Sequence, residues 1–117
     1  MGEFVATEIL KLMTKKRINI QKVNLLMLGI TFKENCPDIR NTKAIDLYNT
    51  LKSFNLNVDV FDPWASKKEV KDRYNFDLIE TLEKPYDVVI QVVAHDKFKD
   101  LDFNKIKTKN GILYDVK

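Results

Sequence analysis

The residues best suited to chemistry lie in one polar stretch, Gly29-Ile30-Thr31-Phe32-Lys33-Glu34-Asn35-Cys36-Pro37-Asp38-Ile39-Arg40-Asn41. It holds two fixed cations, Lys33 and Arg40, and an aromatic ring at Phe32. A lysine acts on a phosphate as a point charge, whereas an arginine forks onto two oxygens. A ring beside them can pack a base or a sugar. The same cations can instead pair with Glu34 and Asp38 as surface ion pairs, which are common and weak. Residue types alone leave both readings open. They close a third: a dinucleotide fingerprint needs three glycines in six positions so that backbone can approach a pyrophosphate. Here one glycine is followed by bulky Phe32 and Lys33, so the usual backbone route to a dinucleotide is absent.

Other residues invite a chemical reading and carry less. Cys36 is the lone cysteine, but a reactive thiolate needs a base or cation arranged around it. Pro37 follows it directly and the single histidine, His95, stands beyond another strand, so Cys36 is expected to pack the loop. His95-Asp96 is expected to end the third strand, with His95 satisfying nearby backbone and Asp96 capping the next helix; a His–Asp pair for acid–base work is the sharper reading. Asp62 would take a ribose in a dinucleotide domain, but without the glycine fingerprint it is expected to shape the Asp62-Pro63 turn. Trp64 reads as a partly buried packing residue, or a contact at a domain interface. The Asp100 and Asp102 pair and the Lys105, Lys107 and Lys109 run read as solvated faces. No His, Cys or carboxylate cluster has metal-ligand spacing, so no metal is expected.

The elements that must position these residues follow from periodicity. Val5, Ile9, Leu12 and Met13 recur at helical spacing, which predicts an amphipathic helix over 3–16. Val23 to Leu28 is a buried strand closed by Gly29. Ala44, Leu47, Tyr48, Leu51 and Phe54 mark a second helix capped by Asn41 or Thr42. Asn57 to Phe61 is a second strand, stopped by Asp62-Pro63. Ser66 to Tyr74 reads as a helix opened by a capping box of Ser66 and Glu69. A brief strand over Phe76-Asp77-Leu78 and a helical turn or two before Pro85 come next. Tyr86 to Val93 is the most apolar strand, Leu101 to Lys107 a last helix and Gly111 to Val116 a final strand. This alternation predicts a three-layer α/β domain, Rossmann-like, with a mainly parallel sheet of order 2-1-3-4 flanked by helices. Ligands in such sheets bind at the carboxyl ends of strands beside the reversal of strand order, which is where the polar stretch begins.

Composition narrows the class. A chain of 117 residues suits one domain and has no room for a two-domain enzyme. One cysteine excludes a disulfide framework, and no apolar run approaches the roughly 20 residues of a membrane span. The net charge of +3 resides wholly in residues 1–24, where Lys11, Lys15, Lys16, Arg17 and Lys22 outnumber Glu3 and Glu8. A short basic segment without interleaved aromatics reads as a solvated helix end, so neither nucleic acid nor a membrane is expected as a partner.

Leu28 to Asn41 closely resembles the signature that opens the carboxyl-terminal domain of the UDP-glucose/GDP-mannose dehydrogenase family. Asp59-Val60-Phe61-Asp62-Pro63-Trp64 is similar to the family's second-strand ending, and Tyr114-Asp115-Val116-Lys117 to its final strand. Met1-Gly2-Glu3-Phe4-Val5-Ala6 resembles the start of the long helix leaving the family's central domain. The wording from Glu34 to Asn41 is most similar to the branch acting on UDP-N-acetylhexosamines for polysaccharide synthesis, as in capsule and O-antigen. The resemblance implies a cytoplasmic enzyme that oxidises the sugar C6 alcohol to a carboxylate with two NAD. NAD would be held mainly by a missing amino-terminal domain, with the catalytic cysteine upstream and none in this chain. Residues 1–20 would be the end of a linker helix and 21–117 the UDP-binding domain of a longer, homodimeric protein, inactive alone. By motif position, Phe32 and Lys33 would contact the UDP-sugar and Arg40 the NAD phosphates. The alternative is a stand-alone α/β nucleotide-binding or regulatory module. A receiver-like version would need an acidic cluster that Val23 to Leu28 does not supply.

Overall fold

In a computed structural model, residues 2–82 and 84–116 are described. Helix α1 (Gly2–Lys15) forms on the expected stripe: Val5, Ala6, Ile9 and Met13 are buried and Glu3, Lys11 and Lys15 face outward. Strand β1 (Asn24–Leu28) is buried along almost its whole length. Helix α2 (Thr42–Ser53) is capped by Asn41, whose side chain accepts the Ala44 amide at 3.1 Å. Strand β2 (Asn57–Phe61) and helix α3 (Lys67–Tyr74) follow, and Ser66 Oγ accepts the Glu69 amide as the cap of α3. Strand β3 (Tyr86–Gln91), a 3-10 helix over Asp96–Asp100, the short helix α4 (Phe103–Ile106) and strand β4 (Lys107–Asp115) complete the chain.

The sheet is parallel throughout and its order is β2-β1-β3-β4, as the alternation predicts. Met27 lies opposite Val60 on one side and Ile90 on the other, so β1 sits at the centre. Because side chains alternate along a strand, β1 serves two cores. Leu25 and Met27 pack with α1, α2 and Val70 of α3, and Leu26 and Leu28 pack on the opposite face with Phe98 and Ile106. The first face has three helices over it. The second has only the 3-10 helix, α4 and the irregular chain around Ile79 and Leu82.

Several expectations are corrected. Phe76-Asp77-Leu78 is not a strand, and no helix precedes Pro85 among the described residues. The chain there wraps the edge of β2: Phe76 and Leu78 pack in the first core, Ile79 and Leu82 against the second. One ladder-like bond, Ile79 N–H to the Val60 carbonyl at 2.9 Å, is all that such a crossing allows. The segment also covers an otherwise open sheet edge. The helix expected over Leu101–Lys107 is shortened because Asp102 caps α4 and Lys107 is already extended. Strand β4 accordingly starts at Lys107 rather than Gly111, with a register shift opposite Tyr86–Val88. Finally, β3 ends at Gln91, so His95 lies on the loop beyond it.

The amino end of the sheet joins two basic runs that are remote in sequence. Lys16 Nζ donates to the Gly111 carbonyl at 3.3 Å, and Asn110 Nδ2 donates to the Lys16 carbonyl at 3.1 Å. Among the described residues no helix is long and apolar enough to cross a membrane.

Candidate functional site

The carboxyl ends of β1, β2 and β3 converge on Gly29. Its amide donates to the Phe61 carbonyl at 3.0 Å, while the Leu28 carbonyl receives Val92 N–H at 2.9 Å and Val93 N–H at 3.2 Å. Gly29 has φ +93°, and a Cβ built on it would stand 2.7 Å from Val93 Cβ. Both the backbone angle and the space therefore demand glycine here. From this point the chain leaves the sheet edge and begins the loop.

A buried polar knot holds the loop's inner side. Asp62 is 4% exposed, His95 1% and Thr31 0%. Asp62 Oδ2 accepts the Ile30 amide at 2.8 Å, the Thr31 amide at 3.2 Å and His95 Nε2 at 3.0 Å. Its Oδ1 accepts the Trp64 amide at 2.8 Å and the Ala65 amide at 3.3 Å. A buried carboxylate is tolerated when its lone pairs are filled in this way. On the other side of the ring, His95 Nδ1 accepts the Asn35 amide at 2.9 Å. That contact puts the imidazole proton on Nε2, facing Asp62. Asn35 sits in the left-handed region at φ 57°, which asparagine tolerates. Its side chain clasps Asp96 in both directions, with Nδ2 to Asp96 Oδ2 at 2.9 Å and the Asp96 amide to Oδ1 at 3.0 Å. The bond from Asn35 Nδ2, and Lys99 after it, lower the Asp96 carboxyl pKa. Asp96 thus closes the loop instead of capping the helix that it begins.

Asn41 ties the far end of the loop, donating to the Thr31 carbonyl at 2.8 Å while it caps α2. The Phe32 amide donates to the Asp38 carbonyl at 2.6 Å, pinching the loop's neck.

The side chains expected to bind ligand point the other way. Phe32 is 62% exposed although its neighbours Ile30 and Thr31 are fully buried. With Lys33, Glu34 and Asn41 it forms one side of a cleft of about 170 Å³, facing Val92-Val93-Ala94 after β3 and Asp115 of β4. Lys33 is in none of the ion pairs found among the described residues. Arg40 is different. Its Nη2 lies 2.7 Å from Asp38 Oδ2 and its Nε 2.9 Å from Asp38 Oδ1, a bidentate fork that is 69% exposed on the arginine side. Through these hydrogen bonds Arg40 holds the Asp38 carboxyl down at about 2. Arg40 also opens onto a separate cleft of about 300 Å³, shared with Arg73, Glu69 and Asp72 of α3. The fold therefore groups Phe32 with Lys33 and sets Arg40 apart. The local ion pair read from the sequence forms for Arg40 with Asp38, while Lys33 makes none with Glu34 among the described residues.

Cys36 is half-buried on the loop. Both nitrogens of the only histidine are already engaged, so no imidazole is free to serve its thiol. Trp64 is half-buried, and among the described residues its Nε1 is the buried side-chain polar atom without a partner; Lys97 Nζ stands 5.0 Å over its ring. Asp62 and His95 were each visible in the sequence as strand-end polar residues, but not their meeting. Thr31 and Asn35 carried no signal beyond their place in the loop. For NAD the fit is partial: the Arg40 guanidinium is of the kind that forks onto a phosphate but is held by Asp38, and the loop has no glycine cradle for a pyrophosphate.

A parallel sheet with its polar chemistry gathered at the carboxyl edge, beside a reversal of strand order, defines the class of open α/β domain that binds ligands at that edge. Residues 26–117 match the UDP-glucose/GDP-mannose dehydrogenase family, UDP binding domain, and the chain belongs to that family. It is 40% identical over 121 residues to the UDP-N-acetyl-D-glucosamine 6-dehydrogenase of Pseudomonas aeruginosa, covering 100% of this chain and 29% of that protein. It is 39% identical over 120 residues to Protein CapL of Staphylococcus aureus, covering 100% of this chain and 28% of the other. The solved structure of a UDP-D-ManNAc dehydrogenase from Pyrococcus horikoshii shares the fold with a TM-score of 0.76 at 20% identity, over 97% of this chain and 26% of that one. The chain thus spans less than a third of the length of these relatives.

Proposed function

We propose that this chain is the UDP-binding domain of an NAD-dependent nucleotide-sugar 6-dehydrogenase that oxidises a UDP-N-acetylhexosamine to the uronic acid for polysaccharide biosynthesis in the cytoplasm. Residues 1–20 are the end of a linker helix and 21–117 the domain itself, working with the rest of a homodimeric polypeptide. Lys33 neutralises a diphosphate oxygen of the UDP-sugar, and Phe32 lines the nucleotide-sugar pocket. Arg40 trades Asp38 for a phosphate of NAD, which is held mainly outside this chain and supplies the oxidising power. No residue here takes part in the bond-making steps, so the domain alone is inactive. The whole oxidation of alcohol to carboxylate consumes two NAD and one water.

One observation carries this reading. An exposed ring and a lysine that joins no ion pair among the described residues project from a loop whose backbone is tied down on its inner side. Left 62% exposed, Phe32 forgoes part of the roughly 1.5–3 kcal/mol that full burial would contribute, a cost that a stacking ligand recovers. Small-ligand pockets run to roughly 300–1,000 Å³, so a cleft of about 170 Å³ is one wall of a site that other parts of the protein complete. Titration of UDP and UDP-N-acetylglucosamine into the 117-residue chain, followed by NMR, tests the assignment. Shifts are expected at 30–34 and 92–94 in the native chain and about tenfold weaker binding in Lys33→Ala, since a charge-assisted contact is worth about that much. Identical titrations of both chains would remove Lys33 from the site. No response from either would favour the regulatory-module alternative.

A further inference from the structure

We propose that His95 is a positioning residue for UDP binding: its imidazole grips both ends of the turn Lys33-Glu34-Asn35 and so sets where the Lys33 ammonium stands. Its consequence for binding rests on the functional reading above, while its geometry stands independently.

The hydrogen bonds form a directed chain through the ring. The Asn35 amide donates to Nδ1 at 2.9 Å, which leaves the ring proton on Nε2. Nε2 lies 3.0 Å from both Asp62 Oδ2 and Thr31 Oγ1, so its proton is shared between two acceptors. The Thr31 hydroxyl, with its oxygen receiving from the ring, spends its own proton on the Lys33 carbonyl at 3.1 Å. One end of the turn is therefore held directly by the imidazole and the other through Thr31. Asp62 anchors the assembly by taking the Ile30 and Thr31 amides on the oxygen that faces the ring. Asp96, next to His95, grips the Asn35 side chain from outside the knot.

The position needs an acceptor and a donor on opposite sides of one rigid plane; lysine and arginine offer no acceptor, a carboxylate offers no donor, and the shorter amide of asparagine or glutamine reaches the place of one ring nitrogen or the other. The ring itself is held edge-on to Phe98 at 5.2 Å and tilted against Trp64 at 6.3 Å. The turn is thereby ordered before any ligand arrives, and a ligand that meets Lys33 avoids the entropy of ordering it.

Two substitutions divide the device. His95→Gln can keep the donor to Asp62 while abandoning Asn35, and His95→Asn can keep the acceptor for Asn35 while abandoning Asp62. Val70→Ala, in the first core and remote from the knot, serves as a stability control. In the ligand-free 117-residue chain, His95→Gln is expected to speed hydrogen exchange of the Asn35 amide about tenfold or more. Order parameters at 33–35 are expected to fall below about 0.6, and the UDP Kd to rise about tenfold. His95→Asn should retain more of the loop order, and Val70→Ala should lower Tm while leaving loop order and Kd unchanged. A His95→Gln chain with native loop order, or a Val70→Ala chain with the same losses, would overturn the assignment. If the native chain shows no Lys33-dependent UDP binding, the functional reading fails, and the loop measurements still decide the role of His95. Should the histidine variants not fold, the native chain suffices: a through-hydrogen-bond coupling between the Asn35 amide nitrogen and His95 Nδ1 is expected, and its absence would refute the grip.

Discussion

The two sides of the loop after β1 are built on opposite terms. On the inner side, Thr31, Asp62 and His95 are buried, and each makes several hydrogen bonds to partners distant in sequence. On the outer side, Phe32 and Lys33 line an open cleft, and Arg40 is forked onto its near neighbour Asp38. Burial makes the inner contacts costly to break, because a stranded polar group loses water without replacement. Exposure makes the outer pair replaceable, since an ion pair in water contributes little. One short segment can therefore be rigid in its backbone and available in its side chains. Within the outer side the cations differ too: Lys33 joins no ion pair among the described residues, whereas Arg40 is forked onto Asp38.

The largest expected effect attacks the inner side at its centre. Asp62→Ala strands the amides of Ile30, Thr31, Trp64 and Ala65 together with the ring of His95. Loss of about 3 kcal/mol or more is expected in chemical denaturation, with the loop signals broadened. Gly29→Ala comes next. It forces a side chain into the left-handed backbone region and against Val93, and about 2 kcal/mol should be lost. Outer-side changes behave otherwise: Lys33→Ala should leave stability within about 0.5 kcal/mol while binding weakens. A loss of stability comparable to that of Asp62→Ala would show that the two sides are not separable.

The smallest effect concerns the Arg40 clamp. The Asp38 carboxyl is held at about 2, below its ordinary range, by the guanidinium and by the Arg40 amide. A lowered folded value means the pair's contribution is complete above the ordinary carboxylate range and is lost as pH falls toward about 2. Carboxyl-carbon NMR should follow that titration. In Arg40→Lys, which cannot fork onto both oxygens, the Asp38 titration should move up toward the ordinary range. An unmoved curve would place the cause in the backbone amide alone.

Much of this was readable from the chain. Parallel order 2-1-3-4 followed from alternating apolar runs, because handed crossovers allow few arrangements. Ser66 was recognisable as a cap from its type and offset, and the cap of α2 was narrowed to Asn41 or Thr42, of which Asn41 takes the role. The crossing at Phe76–Leu82 was not, because a chain rounding a sheet edge shows short apolar pairs that mimic a strand.

The sequence by itself determined the sheet, the loop and the residue types displayed there, since these depend on periodicity and on local turn chemistry. The tertiary structure alone decided which loop residues are scaffold. Thr31, Asp62 and His95 lie more than thirty positions apart in the chain at each step, yet meet within 3.0–3.2 Å because parallel strands deliver their carboxyl ends to one edge. It also divided the cations, placing Lys33 over the cleft at β3 and β4 and turning Arg40 onto Asp38. A hydrogen bond is decided within a few tenths of an ångström, and spacing along a sequence does not specify position at that scale.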